Sequence, residues 1–214
     1  MKRALALVAF AGCLDKPSYE CLALEQQPST QDATLGTSGG VPMTEADCGT
    51  GDYAIGVGVA MTAGIDTMVN DLAVVGMFLA CATVENHDDV IRYEQTYTQS
   101  TFGGGGATGG RSAATTCSPG EVVVGIEANV FTPSSGDRLN SIAIHCQGFD
   151  LTGKLAGTVT PVPVTSSAGV NGFLPSNAVA ACGFERALHG VVPHAGDELD
   201  QLELLCARSQ CMLP

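Results

Sequence analysis

Three stretches of the chain can be laid over one another, and this periodicity constrains the fold more than any other feature. The first reads Cys48-Gly-Thr-Gly-Asp-Tyr-Ala-Ile-Gly56-Val, the second Cys117-Ser-Pro-Gly-Glu-Val-Val-Val-Gly125-Ile, and the third Cys182-Gly-Phe-Glu-Arg-Ala-Leu-His-Gly190-Val. In each, glycine stands eight residues after cysteine and an aliphatic residue follows it. Each stretch then reaches a turn carrying aspartate: Gly64-Ile65-Asp66, Gly136-Asp137 and Gly196-Asp197. A patterned run comes next: Val69-Asn-Asp-Leu72-Ala-Val74, Leu139-Asn-Ser-Ile142-Ala-Ile144 and Leu199-Asp-Gln-Leu202-Glu-Leu204. The starts lie 69 and 65 residues apart. One unit of this kind cannot bury its own apolar face, so the copies must cover one another.

Each unit reads as a strand, a tight turn and a returning strand. Alternation at period two puts one face inward and one outward. Gly-Asp supplies the turn, because glycine tolerates positive φ and aspartate bonds nearby amides. The mid-strand glycine marks a bulge or a close approach of backbone. Cysteine pairs then staple the outer ends of each hairpin: Cys48 with Cys81, Cys117 with Cys146, and Cys182 with Cys206. Each closes a loop of about 25 to 34 residues, on the order of 3.5–4 kcal/mol by chain entropy. The first unit departs from the pattern, since Gly76 occupies its aligned closing position and Cys81 comes five residues later. Cys21 and Cys211 stand near the two ends of the chain, and their pairing would tie the termini together; Cys206–Cys211 is a sterically allowed rival.

Composition agrees with an all-β chain. Hydrophobic residues make up 45% of 214 and charged residues 14%, with 27 glycines. That content builds a core and suits short strands joined by turns better than a helical bundle. The reading is one domain over residues 34–214, with repeats at about 34–98, 99–164 and 165–211. Gly- and Thr-rich stretches at 34–40, 101–110 and 165–172 read as loops inside the units, and strand-like runs lie at Val90–Thr98 and Leu155–Val164. Nine Lys and Arg stand against 22 Asp and Glu, a net charge of −13. Such acidity excludes a nucleic-acid partner and electrostatic docking on anionic lipid.

The repeated pattern Cys-x-x-Gly, Gly-[Val/Ile], Gly-Asp…Leu-Asn-x-Ile-x-Ile-x-Cys resembles the vitelline-membrane outer-layer protein family. Cys117 to Cys146 carries the best match, and Asp66-Thr-Met-Val-Asn-Asp-Leu72 is similar to the family's Asp-Thr-Ala-Leu-Asn-Gly-Ile stretch. The resemblance implies a β-prism of three Greek-key sheets about a pseudo-threefold axis. The chain departs from the family in carrying the proline after cysteine only as Pro119 and in having no tryptophan. The same prism architecture occurs in jacalin-type plant lectins and in a domain of insecticidal δ-endotoxins, so sugar binding enters as fold analogy.

The N-terminus reads as an address. Lys2 and Arg3 precede the apolar run Ala4–Gly12, which is too short to span a bilayer and reads as a secretory signal over residues 1–12. Its ending, Phe10-Ala11-Gly12-Cys13, resembles the lipobox of bacterial lipoproteins. The resemblance implies cleavage before Cys13 and a lipid on its sulfur. Leu14 stands where an inner-membrane retention aspartate would, which points to the outer membrane, cell surface or extracellular space. Residues 13–33 read as a lipidated tether with a strand around Cys21 to Leu24. An exported chain favours disulfides, and setting Cys13 aside leaves eight cysteines.

Chemistry-bearing motifs are sparse. Gly36-Thr-Ser38-Gly-Gly40 resembles the nucleophile segment of trypsin-like proteases, but all four histidines lie downstream of it. Those histidines, 87, 145, 189 and 194, read as surface or turn residues. The carboxylate clusters Glu85/Asp88/Asp89 and Asp197/Glu198/Asp200/Glu203 read as solvated faces and turns, with Glu203 on an outer face. Asp66, Asp137 and Asp197 recur once per unit, as turn residues do. No catalytic residue, cofactor or metal ligand is assigned. Tyr93 and Tyr97 share a strand face, and Phe102 adjoins a glycine run, so these are the candidate exposed aromatics. The candidate ligand loop is that glycine run: Gly103, Gly104, Gly105, Gly106, Gly109 and Gly110. The expectation is a non-enzymatic surface protein with a glycan or surface-polymer partner. The alternative is a structural protein of the envelope or matrix that contacts other envelope proteins and assembles into oligomers or filaments.

Overall fold

The computed structural model describes residues 19–23, 33–36, 40–49, 51–63, 72–87, 90–101, 111–131, 138–150, 154–164, 176–196 and 199–212. The described elements are strands. They are β1 (Tyr19–Ala23), β2 (Ala33–Leu35), β3 (Val41–Pro42), β4 (Ala46–Asp47), β5 (Asp52–Ala63), β6 (Leu72–His87) and β7 (Val90–Thr101). There follow β8 (Arg111–Thr116), β9 (Glu121–Phe131), β10 (Arg138–Phe149), β11 (Leu155–Pro163), β12 (Ser176–Ala181), β13 (Arg186–Ala195) and β14 (Leu199–Met212).

Three antiparallel hairpins, β5–β6, β9–β10 and β13–β14, correspond to the three repeats. Each is the centre of a sheet. In the first sheet β7 flanks β6 and β8 flanks β5; in the second, β11 flanks β10 and β12 flanks β9. In the third, β3 and β4 flank β13, while β2 flanks β14. β1 pairs both β14 and β6, so the first and third sheets run on into each other.

This order shows how the prism closes. β8 leads into the second repeat's cysteine but lies in the first sheet, and β12 leads into the third repeat's cysteine but lies in the second sheet. β3 and β4 lead into the first repeat's cysteine and lie in the third sheet. Every unit thus lends an edge strand to the preceding sheet, cyclically. The other edge of the third sheet is β2, from the N-terminal part of the chain, paired with β14. One segment therefore differs from the sequence expectation. Thr34 and Leu35, read as loop, are strand, and Leu35 is buried in the core. The strand expected around Cys21 to Leu24 is β1, Tyr19–Ala23, and it is built into the sheet between β14 and β6.

The repeated glycine marks both a bulge and a close approach. One extra residue enters the first hairpin strand at Ile55, at Val124 and at His189, each directly before the glycine. A Cβ at Gly56 would stand 2.5 Å from Thr115 O, at Gly125 2.9 Å from Ala180 O, and at Gly190 3.0 Å from Ala46 O. Each of these carbonyls belongs to the borrowed edge strand. The bulge carbonyls then receive the next cysteine's amide: Cys117 N–H donates to Ile55 O at 2.8 Å, Cys182 N–H to Val124 O at 2.8 Å, and Cys48 N–H to His189 O at 2.9 Å.

Disulfides join Cys48 to Cys81, Cys117 to Cys146 and Cys182 to Cys206. They do more than close hairpin ends. The first cysteine of each pair is anchored on the preceding sheet and the second on its own, so the three bonds link the sheets around the ring. Register sets Cys21 opposite Cys211 on β1 and β14, while Cys13 lies outside the described residues.

Apolar side chains from all three sheets fill the interior, among them Leu35, Val59, Leu79, Ile126, Ile142, Ile144, Leu188, Leu202 and Leu204. Full burial of each contributes roughly 1.5–3 kcal/mol. A second cluster draws Tyr53 and Ile55 from the first sheet, Val122 and Val124 from the second, and Ala187 and Ala207 from the third. Tyr53 is fully buried there, with its ring centroid 6.1 Å from that of Phe149 and its hydroxyl donating to Arg208 O at 3.5 Å. One side chain thereby ties three sheets.

Candidate functional site

The threefold pattern is a ruler, and the sites that break it are informative. Between cysteine and hairpin strand, each repeat makes a turn closed by a backbone bond: Asp52 N–H to Gly49 O at 3.5 Å, Glu121 N–H to Ser118 O at 3.0 Å, Arg186 N–H to Gly183 O at 3.1 Å. The third residue of this turn has positive φ, which favours glycine. Gly51 at +93° and Gly120 at +94° meet that demand. The third repeat places Glu185 there, at +59°, the one positive-φ residue other than glycine among the described residues. Strained backbone of this kind concentrates at functional sites.

Phe184 precedes it, where the other repeats carry Thr50 and Pro119. The residue is 89% exposed. An exposed aromatic on a strained turn has no packing explanation. Phe184 stands at the rim of a groove of about 170 Å³ at the seam between the second and third sheets. All four strands of the second sheet contribute to it: Val124 from β9, His145 and Gln147 from β10, Leu155 and Val159 from β11, and Ala181 from β12. The turn Gly183–Arg186 forms the opposite wall.

Hydrogen bonds hold the polar groups in place. Gln147 Nε2 donates to Gly157 O at 3.3 Å, and His145 Nε2 lies 3.0 Å from Glu127 Oε2. Lys154 Nζ reaches Glu185 Oε1 at 4.0 Å across the turn. The arrangement offers an apolar floor, one aromatic face and a few polar atoms. Among the described residues no cluster of histidine, cysteine and carboxylates is arranged to hold a metal ion.

A second break in symmetry is His189, which fills the bulge position of Ile55 and Val124. It is not a surface or turn histidine: the residue is 5% exposed. Its Nδ1 lies 3.0 Å from Asp52 O and its Nε2 3.1 Å from Asp47 Oδ1. Asp47 also accepts the Gly49 amide. Glu45 stands beside Asp47, and its carboxyl is held above the usual glutamate range by burial, then by the hydrogen bond and charge of Asp47, with His189 opposing. Thr83 Oγ1 donates to Asp52 Oδ1 at 2.6 Å. The cluster serves the seam between the first and third sheets.

The other sequence candidates separate as follows. Phe102 and the glycines at 103, 104, 105, 106, 109 and 110 lie outside the described residues, as do Ser38, Asp66, Asp88, Asp89, Asp137, Asp197 and Glu198. The backbone of Tyr93 and Tyr97 lies in β7, opposite Val84 and Ala80. Asp200 Oδ2 accepts the Gly196 amide at 3.0 Å, as a turn residue. Glu203 is on an outer face, 3.0 Å from His194 Nε2. Phe184 was readable in the sequence: the Phe-Glu pair stands where the other repeats carry Thr-Gly and Pro-Gly.

No family model matches the chain, and no curated protein matches it. Solved structures do. The agglutinin of Calystegia sepium superposes with a TM-score of 0.47 at 14% identity, covering 84% of this chain and 97% of that one. A prostate-specific WGA16 glycoprotein lectin does so at 0.48 and 11%, covering 83% and 99%. The mosquito-larvicidal Cry4Aa toxin of Bacillus thuringiensis gives 0.50 at 3% identity, over 79% of this chain and 28% of the toxin. The likeness to the toxin is one of fold. The chain is an all-β, three-sheet, disulfide-stapled prism.

Proposed function

We propose that the protein is an exported, non-enzymatic carbohydrate-binding protein, held at the cell surface through a lipid on Cys13. The observation that carries the binding reading is Phe184, 89% exposed on the strained third-repeat turn above the groove. A sugar ring lays its apolar C–H face on an aromatic side chain while its hydroxyls seek polar atoms. Gln147, His145 and Arg186 supply such atoms along the groove. The resemblances to the vitelline-membrane outer-layer pattern and to the bacterial lipobox complete this reading of an exported prism.

A glycan-array screen tests it, run with the protein and its Phe184→Ala variant. Saturable binding that the variant loses supports the reading. Absence of binding overturns it, and discrete oligomers or fibres by light scattering in that case point to the structural role.

A further inference from the structure

We infer that the groove takes internal residues of a neutral, β-linked chain of glucose-configured pyranoses, sugars whose two ring faces are both apolar. This rests on the carbohydrate-binding reading and narrows it. Two irregular segments stand on opposite walls of the groove. One is the turn with Phe184 and the positive-φ Glu185, which follows β12 at one edge of the second sheet. The other is a bulge in β11, at the opposite edge. Cys146 pairs Thr160 and Gly148 pairs Ala156, so Gln147 alone stands against Gly157, Thr158 and Val159. Gly157 takes φ +88°, and Gln147 Nε2 fastens the bulge by donating to Gly157 O at 3.3 Å. Bulges re-aim side chains and are over-represented beside active sites. This one sets Val159, 42% exposed, on the wall across from Phe184.

The charged side chains of the groove are already engaged. Glu185 Oε1 meets Lys154 Nζ at 4.0 Å, His145 Nε2 lies 3.0 Å from Glu127 Oε2, and Arg186 has an interaction partner of its own. An ionic ligand would have to displace these partners. β11 and β12, the flanking strands, contain no charged residue in a chain with 22 acidic ones. The surroundings therefore suit a neutral ligand. Two apolar walls favour a ring that offers C–H groups on both faces. A β-linked glucose unit does so, because every ring substituent is equatorial. Mannose and galactose each carry an axial hydroxyl, which would meet an apolar side chain and lose its water without gaining a hydrogen bond. The groove's volume of about 170 Å³ is below the roughly 300–1,000 Å³ of pockets that enclose their ligands. Val179, 52% exposed, shares the face of Ala181 on β12 and extends the apolar surface beyond the groove. A chain that runs on over this surface fits better than a single sugar.

Titration calorimetry of the whole protein with three probes tests the inference: cellotetraose, β-1,4-mannotetraose and methyl β-glucoside. The two tetraoses differ only in the orientation of one hydroxyl per ring. The result expected is cellotetraose bound about tenfold more tightly than either other probe, the effect of one desolvated hydroxyl or of lost surface beyond the groove. Val159→Thr keeps the side chain's shape and β-branching while making that wall polar. It is expected to narrow the preference for cellotetraose over mannotetraose and to leave the melting temperature unchanged, since Val159 is exposed. Phe184→Ala weakens cellotetraose binding as well. Equal affinity for the two tetraoses, or a preference for mannotetraose, overturns the glucose assignment and leaves a sugar site. Methyl β-glucoside bound as tightly as cellotetraose overturns the chain assignment. A preference that survives both substitutions overturns its placement in this groove. No binding of these probes, with another glycan captured on the array, also overturns the inference; silence on both overturns the carbohydrate reading itself.

Discussion

His189 Nε2 lies 3.1 Å from Asp47 Oδ1, across the seam where the N-terminal β4 closes the ring onto β13. The same bulge position holds Ile55 and Val124 in the other repeats, so the seam between first and third sheets is polar where the others are apolar. His189→Val restores the repeat pattern yet is expected to destabilise the fold by about 1–3 kcal/mol, because Asp47 and Asp52 O lose a buried partner. Urea denaturation measures it. An unchanged midpoint would show that the position tolerates either chemistry.

Glu45 beside that pair makes the seam sensitive to pH. Its carboxyl titrates above the ordinary glutamate range, through burial and then through the Asp47 carboxylate. A group raised in the folded state contributes stability below its unfolded pKa, and that contribution is lost as pH rises through the folded value. Glu45→Gln mimics the protonated, neutral carboxyl and cannot take up the charge. It is expected to raise the melting temperature at pH 7 relative to the parent and to leave it nearly unchanged at pH 4. A difference of equal size at both pH values would contradict the assignment.

The glycine before each borrowed strand yields a packing test. A Cβ at Gly56 would stand 2.5 Å from Thr115 O, a backbone atom that cannot swing aside. At Gly49, φ is +83° but nothing lies within 4 Å. Gly56→Ala is expected to cost about 1–3 kcal/mol or more by overpacking, and Gly49→Ala about 1–2 kcal/mol from the left-handed backbone alone. Measured unfolding free energies rank the two. The reverse order would mean that β8 shifts easily.

How far the sequence discloses this fold follows from where its constraints are local. Alternation and the Gly-Asp turns specify each hairpin, because neighbouring residues set face and turn. The glycines at 56, 125 and 190 announce a close approach but not what approaches. The partner is an edge strand of the next repeat, a non-local pairing to which Thr115, Ala180 and Ala46 contribute only backbone. β1 and β2 escaped a full reading because short strands carry little periodic signal; Leu35 is buried though flanked by Thr34 and Gly36. Phe184 and His189 are legible only against the repeat pattern. Aligning repeats emphasises what is shared, while both residues inform by differing.

The ring of disulfides predicts a graded response to reduction. Each of the three bonds closes a stretch of 24 to 33 residues and ties two sheets. Replacing Cys117 and Cys146 together by serine is expected to cost about 2–5 kcal/mol. Non-reducing peptide mapping gives the second readout. The register of Cys21 opposite Cys211 leads us to expect a fourth bridge joining β1 to β14. A Cys206–Cys211 peptide instead would contradict that pairing.

The strain at Glu185 links stability to binding. At φ +59° a side chain is held where Gly51 and Gly120 sit without cost in the sister turns. Glu185→Gly removes that penalty, about 1–2 kcal/mol, and gives up only an ion pair to Lys154 at 4.0 Å on the surface, which contributes little. Glycine also widens the conformations open to the unfolded chain, which takes back part of the gain. The net expectation is a variant as stable as the parent or more so. Its Phe184 would sit on a looser turn, so ordering the aromatic face falls to the ligand and affinity drops. Calorimetric melting and saccharide titration on the same sample read both quantities. Stability held or raised with affinity reduced is the signature of a turn kept strained for binding; stability lost with affinity unchanged would make Glu185 a structural residue.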